Sequence, residues 1–406
     1  MKKYPWAVAA LTSLAMLAAC SSDKPATTTV AAETTAAATT VAAETTAAAT
    51  TVAAETTAAG DPAAAGIAAA KAIVDAATQP PDKIGPSEKL TSKPEKKKVA
   101  WLECEQPSCQ AITPGFKDAT AALGWDLVII PAKSADQGPA VQQALDQGAD
   151  YIAHTGSPLA TAADQIKAAQ AKGVPYVSCY STDVPDFKNN NLLAQCGDSP
   201  GVQANGGLMA NWAIVDSKGA AHTLLVNIPD FPVLVAEAKG AKDAYAANCP
   251  NCTFDELDVT IDKLVAGEVP AAVASKIQAD PSINYIQFTF GDLPAGVADV
   301  LKSSNLLEGR KIIGVDFSTQ VGLPGIIDGT HAAWSANPKV YSAWIMVDAM
   351  ARHAVGMENP TERDNAKLPT FIVSTPDEAK KILALGNAGW PGPATMADQF
   401  KTLWGV

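Results

Sequence analysis

Histidine is scarce in this chain. Only His154, His222, His331 and His353 occur in 406 residues, and no two of them stand at a metal-ligand spacing. His154-Thr155-Gly156-Ser157 is not a nucleophile elbow, because no glycine follows two residues after the serine. A P-loop and a GxGxxG are missing as well. Histidine is the commonest general base, so these gaps argue against an enzyme and leave no cofactor or metal to expect. Basic clusters are confined to Lys96-Lys97-Lys98 and the net charge is −12, which makes nucleic acid an unfavourable partner. The apolar stretch Trp6 to Ala19 is too short to span a bilayer as a mature helix.

What is present begins with an export signal over residues 1–20. Lys2 and Lys3 precede that apolar stretch, and small residues lead to Leu17-Ala18-Ala19-Cys20. The triplet before Cys20 resembles a bacterial lipobox, which implies lipidation of Cys20 and anchoring to the outer face of the cell membrane. An ordinary signal peptide with an incidental cysteine is the alternative. Residues 21–61 are dominated by the repeated unit TTVAAETTAAA, with Val30, Val41 and Val52 in phase. One valine per unit is too little apolar surface to offset the entropy of ordering, so a flexible tether is expected. An eleven-residue period also matches roughly 3.67 residues per helical turn, but the threonine density argues against a helix; it allows O-glycosylation. Residues 62–98 read as one Ala-rich helix, Pro62 to Gln79, and a connector rich in proline and lysine.

From Val99 onward, short apolar runs alternate with helix-length segments. Strands are expected at 99–103, 126–130, 151–154, 175–179 and 192–196, and a helix opens after Gly197-Asp198-Ser199-Pro200. The cycle restarts with strands at 223–227, 256–260, 285–290, 312–317 and 331–335. Such alternation predicts βαβ units and parallel sheets. A body of about 300 residues suits two lobes better than one. Asp316 closes an apolar strand just before a helix, where doubly wound sheets place ligand-contacting groups; a capping aspartate is the plainer explanation.

Seven cysteines become six once Cys20 is assigned to lipid. Outside the reducing cytosol disulfides are the default. Short loops and adjacent strand ends favour Cys104 with Cys109, Cys179 with Cys196, and Cys249 with Cys252. Zinc is the rival at Cys249 and Cys252, but no second CxxC or close histidine pair accompanies them.

Several stretches together resemble the periplasmic sugar-binding proteins of the ribose/galactose type, and the effector domains of lac-repressor-type regulators. They are Val174-Pro175-Tyr176-Val177-Ser178-Cys179, Cys196-Gly197-Asp198-Ser199-Pro200-Gly201 with Gly206-Gly207, Phe288-Thr289-Phe290-Gly291-Asp292, Ile312-Ile313-Gly314-Val315-Asp316-Phe317, and Trp334 to Pro338. The likeness covers about Val99 to Ser374 and is one of order and pattern. It implies a type I periplasmic binding protein fold: two Rossmann-like α/β lobes with parallel sheets, joined by a three-crossing hinge. Lobe 1 would hold residues 99–198 and 338–406, and lobe 2 residues 199–337. The implied role is a monomeric lipoprotein that captures a small molecule between its lobes and delivers it to an ABC importer permease. A sensor presenting to a membrane kinase or chemoreceptor shares the fold, and fold alone does not separate them.

The sugar readers of that family survive here only as Asp316. Tyr180 and Ser181 stand where it has an Asp-Arg pair, Gly291 before Asp292 where it has Asn, and Lys239-Gly240 near its Arg. Glu103 and Gln106 fall in the first loop, which the family turns to ligand, unless the disulfide-closed loop holds them outward. Phe231, Phe290, Phe317 and Trp334 add apolar surface, with core packing as the alternative for Phe290, Phe317 and Trp334. An unsatisfied buried polar group costs roughly 1–3 kcal/mol, so a cleft this poor in polar readers should not prefer a bare monosaccharide. A ligand with a ring or apolar body is expected, with a carboxylate if Lys239 faces the cleft.

Overall fold

The computed structural model describes residues 61–357 and 367–406; the export signal, Cys20 and the tether up to residue 60 lie outside them. The short apolar runs of the first half form a parallel sheet. Its strands are β1 (Lys98–Cys104), β2 (Asp126–Ala132), β3 (Tyr151–Thr155), β4 (Tyr176–Cys179) and β5 (Leu192–Cys196), in the order β2-β1-β3-β4-β5. Every residue of β3 and β4 is buried, which is why they read as continuous apolar runs without alternation.

The second half forms β6 (His222–Asn227), β7 (Thr253–Asp258), β8 (Tyr285–Phe288), β9 (Lys311–Gly314), β10 (His331–Ala336) and β11 (Phe371–Val373). Their order is β11-β10-β9-β8-β6-β7, all parallel except β11, which runs antiparallel to β10. β7 begins earlier than expected, because Thr253 to Asp258 is an exposed, acidic edge strand with no apolar run to mark it.

Two helices set the shape of lobe 2 next to the cleft. Ser199–Asp216 is capped by the Asp198 carboxylate, which accepts from the Gly201 N–H at 3.0 Å. It crosses Pro232–Asn248 in backbone contact: a Cβ on Gly206 would stand 1.9 Å from the Glu237 carbonyl oxygen, and one on Gly240 1.8 Å from that of Gln203. Only glycine permits so close an approach.

The chain crosses between lobes after β5, again at Asn337-Pro338, and a third time between the helix Lys339–Ala354 and β11, partly outside the described residues. It crosses a fourth time before the helix Met396–Trp404. The helix Lys339–Ala354 packs on lobe 1. The division expected at residue 338 needs correction beyond it. β11 joins the second sheet and the helix Pro376–Leu383 packs on Gly322–Asp328, so both belong to lobe 2. Only the last helix, Met396–Trp404, returns to lobe 1, where Trp404 stacks on Trp344 at 5.2 Å and its Nε1 donates to Asp348 at 2.7 Å.

The N-terminal helix ends at Ala76 rather than Gln79 and lies on lobe 2, with Gly66 against the Asn248 carbonyl. The Ala77 carbonyl then accepts from the Ile372 N–H, beside β11, at 2.7 Å. Further on, the Gly85 N–H donates to the Tyr341 hydroxyl and the Leu90 N–H to the Leu403 carbonyl, both in lobe 1. Among the described residues no helix is long and apolar enough to cross a membrane.

Candidate binding cleft

Parallel strands end together, so the loops after them converge. In lobe 1 these are the Cys104–Cys109 loop after β1, Ser134 after β2, Thr155-Gly156-Ser157 at the end of β3, and Tyr180 after β4. Lobe 2 contributes Ile228 and Phe231 after β6, Val233, Leu234 and Glu237 of the helix Pro232–Asn248, Thr289 and Phe290 after β8, and Asp316 after β9. Ile112 and Ile261 extend the apolar wall, and Lys339 enters from the second crossing. The cavity volume is about 90 Å³, several times the ~10–15 Å³ that one water needs, so the space suits a small molecule.

Most hydroxyls facing this space are already committed to the protein. The Ser157 Oγ donates to the Ser134 carbonyl at 2.8 Å, and Ser134 donates through N and Oγ to Glu105 at 3.0 and 3.1 Å. Thr155 donates to the Cys179 carbonyl and Thr289 to Asn227, both at 3.1 Å. By contrast the Tyr180 hydroxyl, Glu237 Oε2 and Asp316 Oδ1 are buried without a hydrogen-bond partner among the described residues. Buried polar groups are normally paired, so these three oxygens single out the floor of the cleft.

The floor is also where the backbone is strained. Tyr180 and Asp316 have φ of 54° and 59°, the left-handed region that costs a non-glycine residue about 1–2 kcal/mol. Both are pinned by strand-end hydrogen bonds: the Tyr180 N–H donates to the Cys196 carbonyl at 2.7 Å, the Asp316 N–H to Ser335 Oγ at 2.9 Å. Gly291 bridges to Phe317, and a Cβ on it would fall 2.0 Å from the Asp316 carbonyl oxygen. An asparagine could not stand there without displacing the strand end that carries Asp316.

Lys339 pairs with Asp316 through Oδ2, and its Nζ lies 4.5 Å from the Tyr180 ring centroid. Burial raises the Asp316 carboxyl above its usual range, with Lys339 pulling the other way. Burial, and then Asp316, hold the Glu237 carboxyl well above the usual carboxylate range. Burial, Asp316 and Glu237 likewise raise the Tyr180 phenol. Four groups thus feel one another on the floor: two acids, one ammonium and one phenol.

Of the residues expected at the site, Gln106, Tyr180, Phe231, Phe290 and Asp316 line the cleft together. The others do not. Glu103 accepts from the Thr113 hydroxyl, itself bonded to Trp101, and so faces the helix Thr113–Leu123. Ser181 donates to Asp183 at 2.7 Å. Asp292 sits beside the cleft, accepting from the Ser108 N–H at 3.3 Å, which ties a lobe 1 loop to lobe 2. Phe317 is buried against Gly322 and Gly389. Trp334 is fully buried over Gly314 and donates to His331 at 3.1 Å.

Lys239 lies on the exposed side of its helix and pairs with Asp243, which removes the basis for expecting a carboxylate on the ligand. Glu237, two positions earlier, is turned roughly 200° away and points inward. The signal was legible: Glu237 interrupts the stripe Leu234, Ala238, Ala241, Tyr245 of an otherwise apolar buried face. Lys339 had no comparable signal beyond following the crossing at Asn337-Pro338.

The cysteines pair as Cys104–Cys109, Cys179–Cys196 and Cys249–Cys252. His222, Asp255 and Asp280 gather at the far end of lobe 2, with ligand atoms within 4.8 Å of one another. Both nitrogens of that histidine already share hydrogen bonds, with Ser282 and Asp255, so the cluster is accounted for as a surface network.

The family model described as "Periplasmic binding protein domain" matches residues 105–358. No curated protein matches the chain. Among solved structures, an ABC transporter solute binding protein from Mycobacterium smegmatis with bound glycerol superposes at a TM-score of 0.60. It is 20% identical over 73% of this chain and 99% of its own. A glucose-galactose binding protein from Geobacillus stearothermophilus gives 0.59 at 19% identity, covering 69% of this chain and 98% of its own. A 5-methylthioribose transporter solute binding protein from Thermotoga lettingae gives 0.60 at 17% identity, covering 78% and 99%. These likenesses establish the type I fold of two α/β lobes.

Proposed function

Because the chain belongs to the periplasmic binding protein family, we propose that it captures a small solute between its lobes and delivers it to an ABC importer. Lipid on Cys20 would hold it at the outer face of the membrane, and the residues before Pro62 would serve as the tether. The site binds and does no chemistry. One observation carries the ligand reading: the Thr155, Ser157 and Thr289 hydroxyls around the cleft are spent on the protein, while three buried oxygens on its floor are not. Beside that floor stands a wall of Ile112, Ile228, Phe231, Leu234 and Phe290.

A bare hexose presents hydroxyls all round and would leave several unpaired against this wall. The fitting solute has one polar end and one apolar body. Neighbours of the same fold bind glycerol and 5-methylthioribose, the latter a sugar with a methylthio appendage. Native mass spectrometry of protein purified from its host, followed by calorimetry with the captured molecule, tests the reading. The expected result is a ring-bearing or partly apolar small molecule, with ribose and galactose bound no better than millimolar. Micromolar affinity for either sugar overturns it.

A further inference from the structure

The floor of the cleft holds one more acid group than it holds ammonium groups. Asp316 and Glu237 supply two carboxyl groups, and Lys339 supplies one ammonium, already paired with Asp316 through Oδ2. Among the described residues no cation lies within ion-pair distance of Glu237, and its Oε2 is buried without a partner. Ionising a buried carboxyl without a counter-charge in ion-pair contact costs several kcal/mol, and the fold could have avoided a titratable group with glutamine or leucine at this position. Instead Glu237 stands on a helix fixed in place by the Gly206 and Gly240 contacts.

The unpartnered atoms are all able to accept: Glu237 Oε2, Asp316 Oδ1 and the Tyr180 hydroxyl oxygen. A protonated primary amine carries three donors and one positive charge. It would occupy these acceptors and give Glu237 a counter-charge once that carboxyl ionises. A carboxylate would add a second anion beside Asp316, and a neutral hydroxyl would leave Glu237 holding its proton. Resting on the solute-binding reading above, we infer that the solute carries a basic nitrogen, received as an ammonium by Glu237 and Asp316. Burial and Asp316 favour the protonated form of Glu237 in the free protein, so capture of the ammonium displaces that proton. The charged or titratable groups facing Glu237 are Asp316, Lys339 and Tyr180.

The test begins with thermal-shift screening of the folded body against a panel of small amines, neutral alcohols and carboxylic acids. The best binder and its hydroxyl analogue are then measured by calorimetry with wild type and Glu237→Gln. Amines are expected to dominate the hits, binding at least tenfold tighter than their hydroxyl analogues. Glu237→Gln should abolish that preference. Should the variant not fold, wild type measured in two buffers of different ionisation enthalpy gives the same answer. Amine binding near pH 6 must release a proton that the analogue does not. Hits that are neutral or acidic, an amine preference that survives Glu237→Gln, or equal proton release overturn the inference while leaving solute binding intact. Silence across the whole panel counts against solute binding itself, and the inference falls with it.

Discussion

The two faces of the cleft are built differently. Lobe 1 is stapled at its rim: Cys104–Cys109 closes the loop after β1, and Cys179–Cys196 joins the ends of β4 and β5. Its Ser134, Thr155 and Ser157 hydroxyls are bonded within the lobe, while the Tyr180 hydroxyl is left for the cleft. Lobe 2 carries its disulfide at the opposite end, where Cys249–Cys252 precedes β7 beside Gly219. It leaves two acids on the cleft floor without full complements of partners. Lobe 1 is thus a fixed platform, and lobe 2, with Lys339 from the crossing, carries the charged recognition. Pre-organisation on one side and unsatisfied charge on the other is an economical division for a receptor, because only one surface has to adapt.

The contrast can be broken at its charged side first. Lys339→Met leaves Asp316 buried without its partner, and both side chains are about nine-tenths buried. The expected loss is about 3–5 kcal/mol of stability, with most of it regained in the double variant Asp316→Asn/Lys339→Met, as read by denaturant unfolding. Lys239→Ala, on the exposed face of its helix, should change stability by less than about 0.5 kcal/mol and binding not at all. The stapled side comes next. Removing Cys179–Cys196 opens a loop with a sequence separation of 17 and should cost about 3 kcal/mol. Removing Cys249–Cys252, with a separation of 3, should cost about 2 kcal/mol and spare ligand affinity. Equal effects on affinity would dissolve the distinction between the lobes.

A further contrast compares one buried imidazole from each lobe. Burial pushes His154 from its ordinary 6.5 down to about 3, and His331 down to about 4. Between those values and 6.5 the unfolded chain binds more protons than the folded one, so stability falls as pH falls. Each imidazole should remove about 1 kcal/mol between pH 6.5 and 5.5. His154→Phe should flatten its share of that slope and leave the share of His331, measured by denaturant midpoints across the pH range.

The inner strands were legible because they are buried on both faces and so spell apolar runs, and Asp316 was legible because it ends one of them. The cysteine pairs followed from strand ends that had to be neighbours. β11 was not legible: three residues carry no period, and their partner β10 lies far back in the chain. Trp334 misled because its burial depends on Gly314 lying opposite, a relation between strands that no local pattern encodes. Lys239 and Glu237 differ by two positions on one helix, and a reading pinned to residue type at an aligned position chose the one that faces water.

The N-terminal arm adds a mechanical condition to all of this. It is fastened beside β11 through Ala77 and then to the other half of the molecule through Ile84, whose N–H donates to Gln399 at 3.2 Å. Any rotation that lengthens the gap between those two anchor points has only residues 78–83 as slack. The leader that comes before the first strand therefore acts as a drawstring across the back of the jaws, and its length limits how wide they swing.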